Sequence, residues 1–166
     1  MAGMGPVNSD ISVRHTLATL AYRATRAVEN APPDFAAFGF ETNLLTKPRT
    51  PARILAHMGD LMDWALSLVE GNQKWRDSEP LPWNDEVARF FQALGELDRR
   101  IAAAGLNAET LNRLFQGPIA DALTHTGQIA MLRRMAGCPI RGENYFVADV
   151  EAGRAGADQP APRKAF

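Results

Sequence analysis

The fold is decided by GPIADALTHTGQIAMLRRMAG, residues 117–137. Gly117 and Pro118 open it as a helix, since proline suits a first helical position where its missing N–H would go unpaired anyway. Gly137 ends it, because glycine accepts the left-handed turn that follows many helices. Ile129, Leu132 and Ala136 mark one apolar face, and Asp121 and His125 fall on the same stripe. A helix advances by about 100° per residue, so residues four apart sit one above the other. Such a helix needs neighbours, both to bury its stripe and to satisfy two polar groups pointing the same way.

The neighbours lie upstream. Ser9 or Asp10 can cap a first helix running to about Asn30, with Ile11, Leu17, Leu20, Ala21, Ala24 and Val28 apolar, and Pro32 and Pro33 stop it. The segment APPDFAAFGFETNLLTKPR has no clean period and is expected to cross the surface, tucking Phe35, Phe38 and Phe40 against the helices. Thr50 and Pro51 then start a second helix that Gly71 can end. After the loop NQKWRDSEPLPW, Asn84 is placed to cap a third helix that stops at Gly105. Asn107 caps a short turn before the last helix, and the tail from Cys138, rich in Gly, Pro and charge, is expected to wrap the surface.

Four amphipathic helices in one chain predict an all-α fold, a four-helix bundle with an irregular C-terminal tail. The 166 residues suit one domain over 1–166, with the bundle over about 9–137 and the wrapping tail over 138–166. An apolar fraction of 46% with 22% charged residues is that of an ordinary globular chain. No apolar run approaches the roughly 18 residues of a membrane span, and the N-terminus lacks the pattern of a secretory signal, so the expected location is cytoplasmic. The single cysteine excludes an internal disulfide framework. A net charge of -1 without a basic stripe argues against nucleic acid as a partner.

On the second helix Ile54, Leu61, Trp64 and Leu68 follow the spacing of a buried face, and His57 shares their register. Two inward faces thus carry polar groups, and a buried carboxylate such as Asp121 needs a partner. Two readings are open. Asp121, His125 and His57 can form a structural hydrogen-bond network, or all three can converge on one divalent cation that neutralises the carboxylate while the imidazoles bind through neutral nitrogens.

The segments TPARILAHMGDLMDWALSLV and GPIADALTHTGQIAMLRRMAG, with the following GENYFVADVEAGRAGADQP, resemble the DinB/YfiT-like superfamily of small four-helix metalloproteins. The resemblance covers roughly half the chain. It implies one divalent metal held by a histidine of the second helix and two histidines four apart on the last. His57 and His125 match that pattern, and Asp121 stands where the family usually has histidine. The implied ligand set is therefore His57, Asp121 and His125, two imidazoles and a carboxylate, which suits zinc or nickel and also iron or manganese. Three protein ligands leave a position open for chemistry. Asp60 and Gln128 are close enough in register to orient an imidazole; otherwise Asp60 is solvated and Gln128 makes an ordinary side-chain contact.

Branches resembling this fold include mycothiol-dependent maleylpyruvate isomerase and bacillithiol S-transferases. The resemblance therefore implies a metal-dependent thiol S-transferase or related detoxification enzyme, acting on a low-molecular-weight thiol and an electrophilic small molecule. The competing expectation is a non-catalytic metal-binding stress or interaction protein, with a homodimer among its forms. Other residues read as ordinary. His15 is expected to be solvated, Cys138 inert at a helix end, and Arg133 and Arg134 complementary to a helix C-terminus. Trp64, Trp75, Trp83 and Phe90 read as core or rim packing, and the GENYF segment, with Tyr145 and Arg141, as a cover over a pocket mouth.

Overall fold

Thr50 starts a helix as its neighbours require: its side chain accepts the N–H of Arg53, and Pro51 takes the first helical position. The computed structural model describes residues 9–39 and 49–166. Its helices are α1 (Ser9–Val28), α2 (Pro51–Val69), α3 (Trp83–Ala104), α4 (Ala108–Leu114) and α5 (Ala120–Met135). Four of them, α1, α2, α3 and α5, are long and make an all-α bundle, and the tail contributes one 3-10 turn and an isolated bridge between Glu143 and Ala165. α2 packs most extensively on α3, and α5 lies against both α1 and α2. Leu17, Leu20, Leu55, Met58, Phe90, Leu94, Leu97 and Ile129 are completely enclosed. No helix among the described residues is long and apolar enough to cross a membrane.

Three boundaries differ from the sequence reading, each for a local reason. α1 stops at Val28, and Asn30 takes a left-handed turn at φ 52 ahead of Pro32. α3 begins at Trp83 with Pro82 at its cap position, so Asn84 lies inside the first turn. Gly117 and Pro118 do not open a new helix after a break. They sit in a π-helical turn, Phe115–Ile119, that joins α4 to α5, with the N–H of Ala120 reaching the carbonyl of Phe115 five residues back. Proline is tolerated there because the widened turn gives up the ordinary hydrogen-bond pattern. Phe35 is buried in a 3-10 turn and Phe38 packs on the core, while Phe40 lies outside the described residues.

Two arginines tie the elements together. Arg133, buried near the end of α5, donates to the carbonyls of Ala27, Glu29 and Cys138, with that of Asn30 at 3.5 Å, so one guanidinium satisfies the ends of both α1 and α5. Arg89 of α3 reaches across to α2, where it bonds the carbonyl of Ala56 and the carboxylates of Asp60 and Asp63, and it also pairs with Glu86. Gly59 makes room for it, since a Cβ there would stand 2.6 Å from Nη2 of Arg89.

Candidate metal centre

His57 projects from α2, and Asp121 and His125 from the first two turns of α5. The extra residue of the π turn rotates everything after it by about one residue step, roughly 100°, and with that rotation the face of α5 carrying Asp121 and His125 meets α2. One ligand atom from each of the three side chains lies within 4.8 Å of the others. Nε2 of His57 is 3.5 Å from Oδ2 of Asp121, and Nε2 of His125 is 3.4 Å from Oδ1. The imidazoles stand edge to face, 4.9 Å between centroids. The His125 side chain is 9% exposed, that of His57 21% and that of Asp121 46%, so the group opens to solvent on its carboxylate side.

Gln128 engages the other nitrogen of His125. Nδ1 lies 2.8 Å from Oε1 of Gln128, and an amide oxygen only accepts, so Nδ1 carries the proton. Nε2 of His125 is thereby left facing a carboxylate oxygen of Asp121, and the three side chains form a group that could hold a metal ion. With metal bonds of about 2.0–2.2 Å, neighbouring donors on a tetrahedral or octahedral cation sit about 3.0–3.5 Å apart, and both Asp121 contacts have that width. His57 is biased toward its neutral form. Burial lowers its pKa most, the neighbouring His125 and Arg49 lower it further, and Asp121 opposes them.

The surroundings correct one expectation. Asp60 does not orient an imidazole: it is buried, its oxygens accept from the N–H and Oγ of Ser78 and from Arg89, and the resulting clamp holds the loop between α2 and α3 against α2. Sequence reasoning missed this network, because neither Ser78 nor Arg89 is near Asp60 in the chain. That loop brings Trp75 edge-on to both His57 and Trp64, so Trp75, 48% exposed, borders the centre rather than the core. Phe90 is core and Trp83 packs on Phe35. The GENYF segment covers α1: Tyr145 packs on Tyr22 under Arg23, and Arg141 bonds the carbonyl of Phe166. His15 is exposed and lines a cleft with Tyr145, and half-buried Cys138 uses its carbonyl on Arg133.

Two clefts flank the centre. One, about 200 Å³, is lined by Arg49, Arg53, His57, Asp77 and Ser78. The other, about 450 Å³, runs past Asp121 along Leu61, Trp64, Gly117 and Ala120. A larger cleft of about 540 Å³ lies where the ends of α1 and α5 meet the tail, but its Arg26 and Arg133 are engaged with backbone carbonyls and Glu29. The chain matches no protein-family model, no curated protein and no solved structure.

Proposed function

We propose that His57, Asp121 and His125 hold one divalent cation, zinc or nickel before iron or manganese, in a metal-dependent thiol S-transferase or related detoxification enzyme of the DinB/YfiT-like superfamily. The observation that carries the metal is the convergence of one ligand atom from each of the three side chains within 4.8 Å, with the imidazole nitrogens 3.5 and 3.4 Å from the Asp121 oxygens, the width of one edge of a coordination shell. The thiol chemistry rests on the resemblance of the two ligand-bearing segments. A divalent cation with three protein donors has room for a further ligand and lowers the pKa of a water or thiol that binds there. Around it, Gln128 fixes the tautomer of His125, and the loop clamped by Asp60 sets Trp75 against His57. The apolar wall of Leu61, Trp64 and Ala120 suits an electrophilic small molecule approaching from the Asp121 side.

Metal analysis of the purified protein beside His57→Ala and Asp121→Ala tests the centre: stoichiometric metal in the wild type and loss in both variants is the expected result. Metal retained without Asp121 would remove the carboxylate from the set. In the cobalt-substituted protein, added thiol should change the visible spectrum. A silent spectrum favours the non-catalytic metal-binding protein instead.

A further inference from the structure

The cleft beside His57 is lined by side chains of both charges. Arg49 and Arg53 line it from the start of α2, and Asp77 and Ser78 from the α2–α3 loop. Arg53 is paired with Glu79 at 3.1 Å. Arg49 and Asp77 make no ion pair or hydrogen bond among the described residues. The first turn of α2 carries no acidic side chain, so the positive end of its dipole adds to the charge of the two arginines. From the loop, Ser78 Oγ spends its proton on Asp60 at 2.7 Å and has only lone pairs to offer the cleft. The lining thus offers Arg49 to an anion and Asp77 to a cation, and it includes the candidate metal ligand His57. The volume, about 200 Å³, is below the roughly 300 Å³ at which drug-sized pockets begin, so the occupant is small.

We infer that this cleft holds the zwitterionic head of an α-amino acid, Arg49 taking the carboxylate and Asp77 with Ser78 the ammonium group. The inference rests on the proposed metal centre and narrows its substrate: the thiol is cysteine or a compound keeping a free cysteine-like α-amino and α-carboxylate pair. Each charged group in the ligand then makes one charge-assisted hydrogen bond that a ligand without it lacks.

The test uses the cobalt-substituted full chain titrated with cysteine, 3-mercaptopropionate, cysteamine and 2-mercaptoethanol, which carry both charges, the carboxylate only, the ammonium only and neither. Arg49→Gln should weaken cysteine and 3-mercaptopropionate by about tenfold and leave the other two unchanged, the worth of one hydrogen bond to a charged group. Asp77→Asn should weaken cysteine and cysteamine and spare the rest. Because both side chains are exposed and unpaired, neither substitution removes a contact that holds the fold. Comparing each thiol with itself across variants removes differences in intrinsic thiol acidity. If every thiol responds alike to both substitutions, or none responds, the zwitterion assignment is overturned while a metal that binds thiols stands. If no thiol alters the cobalt spectrum of the wild type, the thiol reading falls and the assignment with it.

Discussion

His57 is pushed toward its neutral form by burial before any neighbouring charge. Its pKa lies below the ordinary 6.5, through burial first and then through His125 and Arg49. Between 6.5 and that lowered value the unfolded chain binds a proton at this residue that the folded chain refuses. The stability contribution is therefore complete above about pH 6.5 and is lost as the pH falls through the window. Urea unfolding of the metal-free protein should give a lower midpoint at about pH 5 than at about pH 8, and His57→Gln should flatten that slope; parallel slopes would contradict the assignment. Gln128 acts one atom further out. Gln128→Ala frees the Nδ1 proton of His125 from its acceptor, and metal affinity measured by competition with a chelator should fall about 10- to 100-fold. At this scale the grouping of three polar side chains is legible in the sequence, because Asp121 and His125 four apart share a face and His57 sits in an apolar register. Spacing alone leaves both a hydrogen-bond network and a metal site open. The setting of Asp60 is not legible, since its partners, Ser78 and Arg89, are chosen by a loop and a helix that meet it only in the folded chain.

Gly59 shows what one element demands of another. An Ala methyl there would collide with the Arg89 guanidinium, which is fixed by Ala56, Asp60, Asp63 and Glu86 and cannot swing away without leaving those groups unpaired. Gly59→Ala should therefore destabilise the protein by about 1–3 kcal/mol in denaturant titration, against a helix propensity that alone would favour alanine. A stabilised variant would mean that Arg89 has another seat. Thr50→Ala tests the start of the same helix and should cost about 1 kcal/mol by loss of the cap on Arg53. Helix ends of this kind are readable from sequence, because Thr50, Gly71, Gly105 and Gly137 act within their own turn. The junction at Gly117 and Pro118 is not. Locally the pair looks like a break, yet burial of Leu111, Leu114 and Ile119 on either side keeps the helix going through a π turn. That continuation also fixes the angular position of Asp121, so the ligand register depends on a feature that local signals misplace.

Across the whole molecule the three candidate ligands come from two helices already joined by the core, which predicts that folding precedes metal binding. Leu55, Met58 and Met62 of α2 and Ala122 and Ile129 of α5 are buried in the apolar core, and Arg133 closes the far ends of α1 and α5. The cation would bridge a preformed edge where Asp121 remains 46% exposed. Stripping metal with a chelator should accordingly leave the far-ultraviolet helical signal intact, unlike a zinc finger, which unfolds without its ion. Restoring metal to about a hundredfold over its dissociation constant adds about 2.7 kcal/mol by mass action. For a chain of this size that raises Tm by about 5–10 °C. The same addition to Asp121→Ala should move Tm by far less. Were the stripped wild type to lose its helices, the ion rather than the apolar core would be assembling the bundle, and the open, substrate-accessible centre inferred from the half-exposed carboxylate would have to be replaced by a structural one.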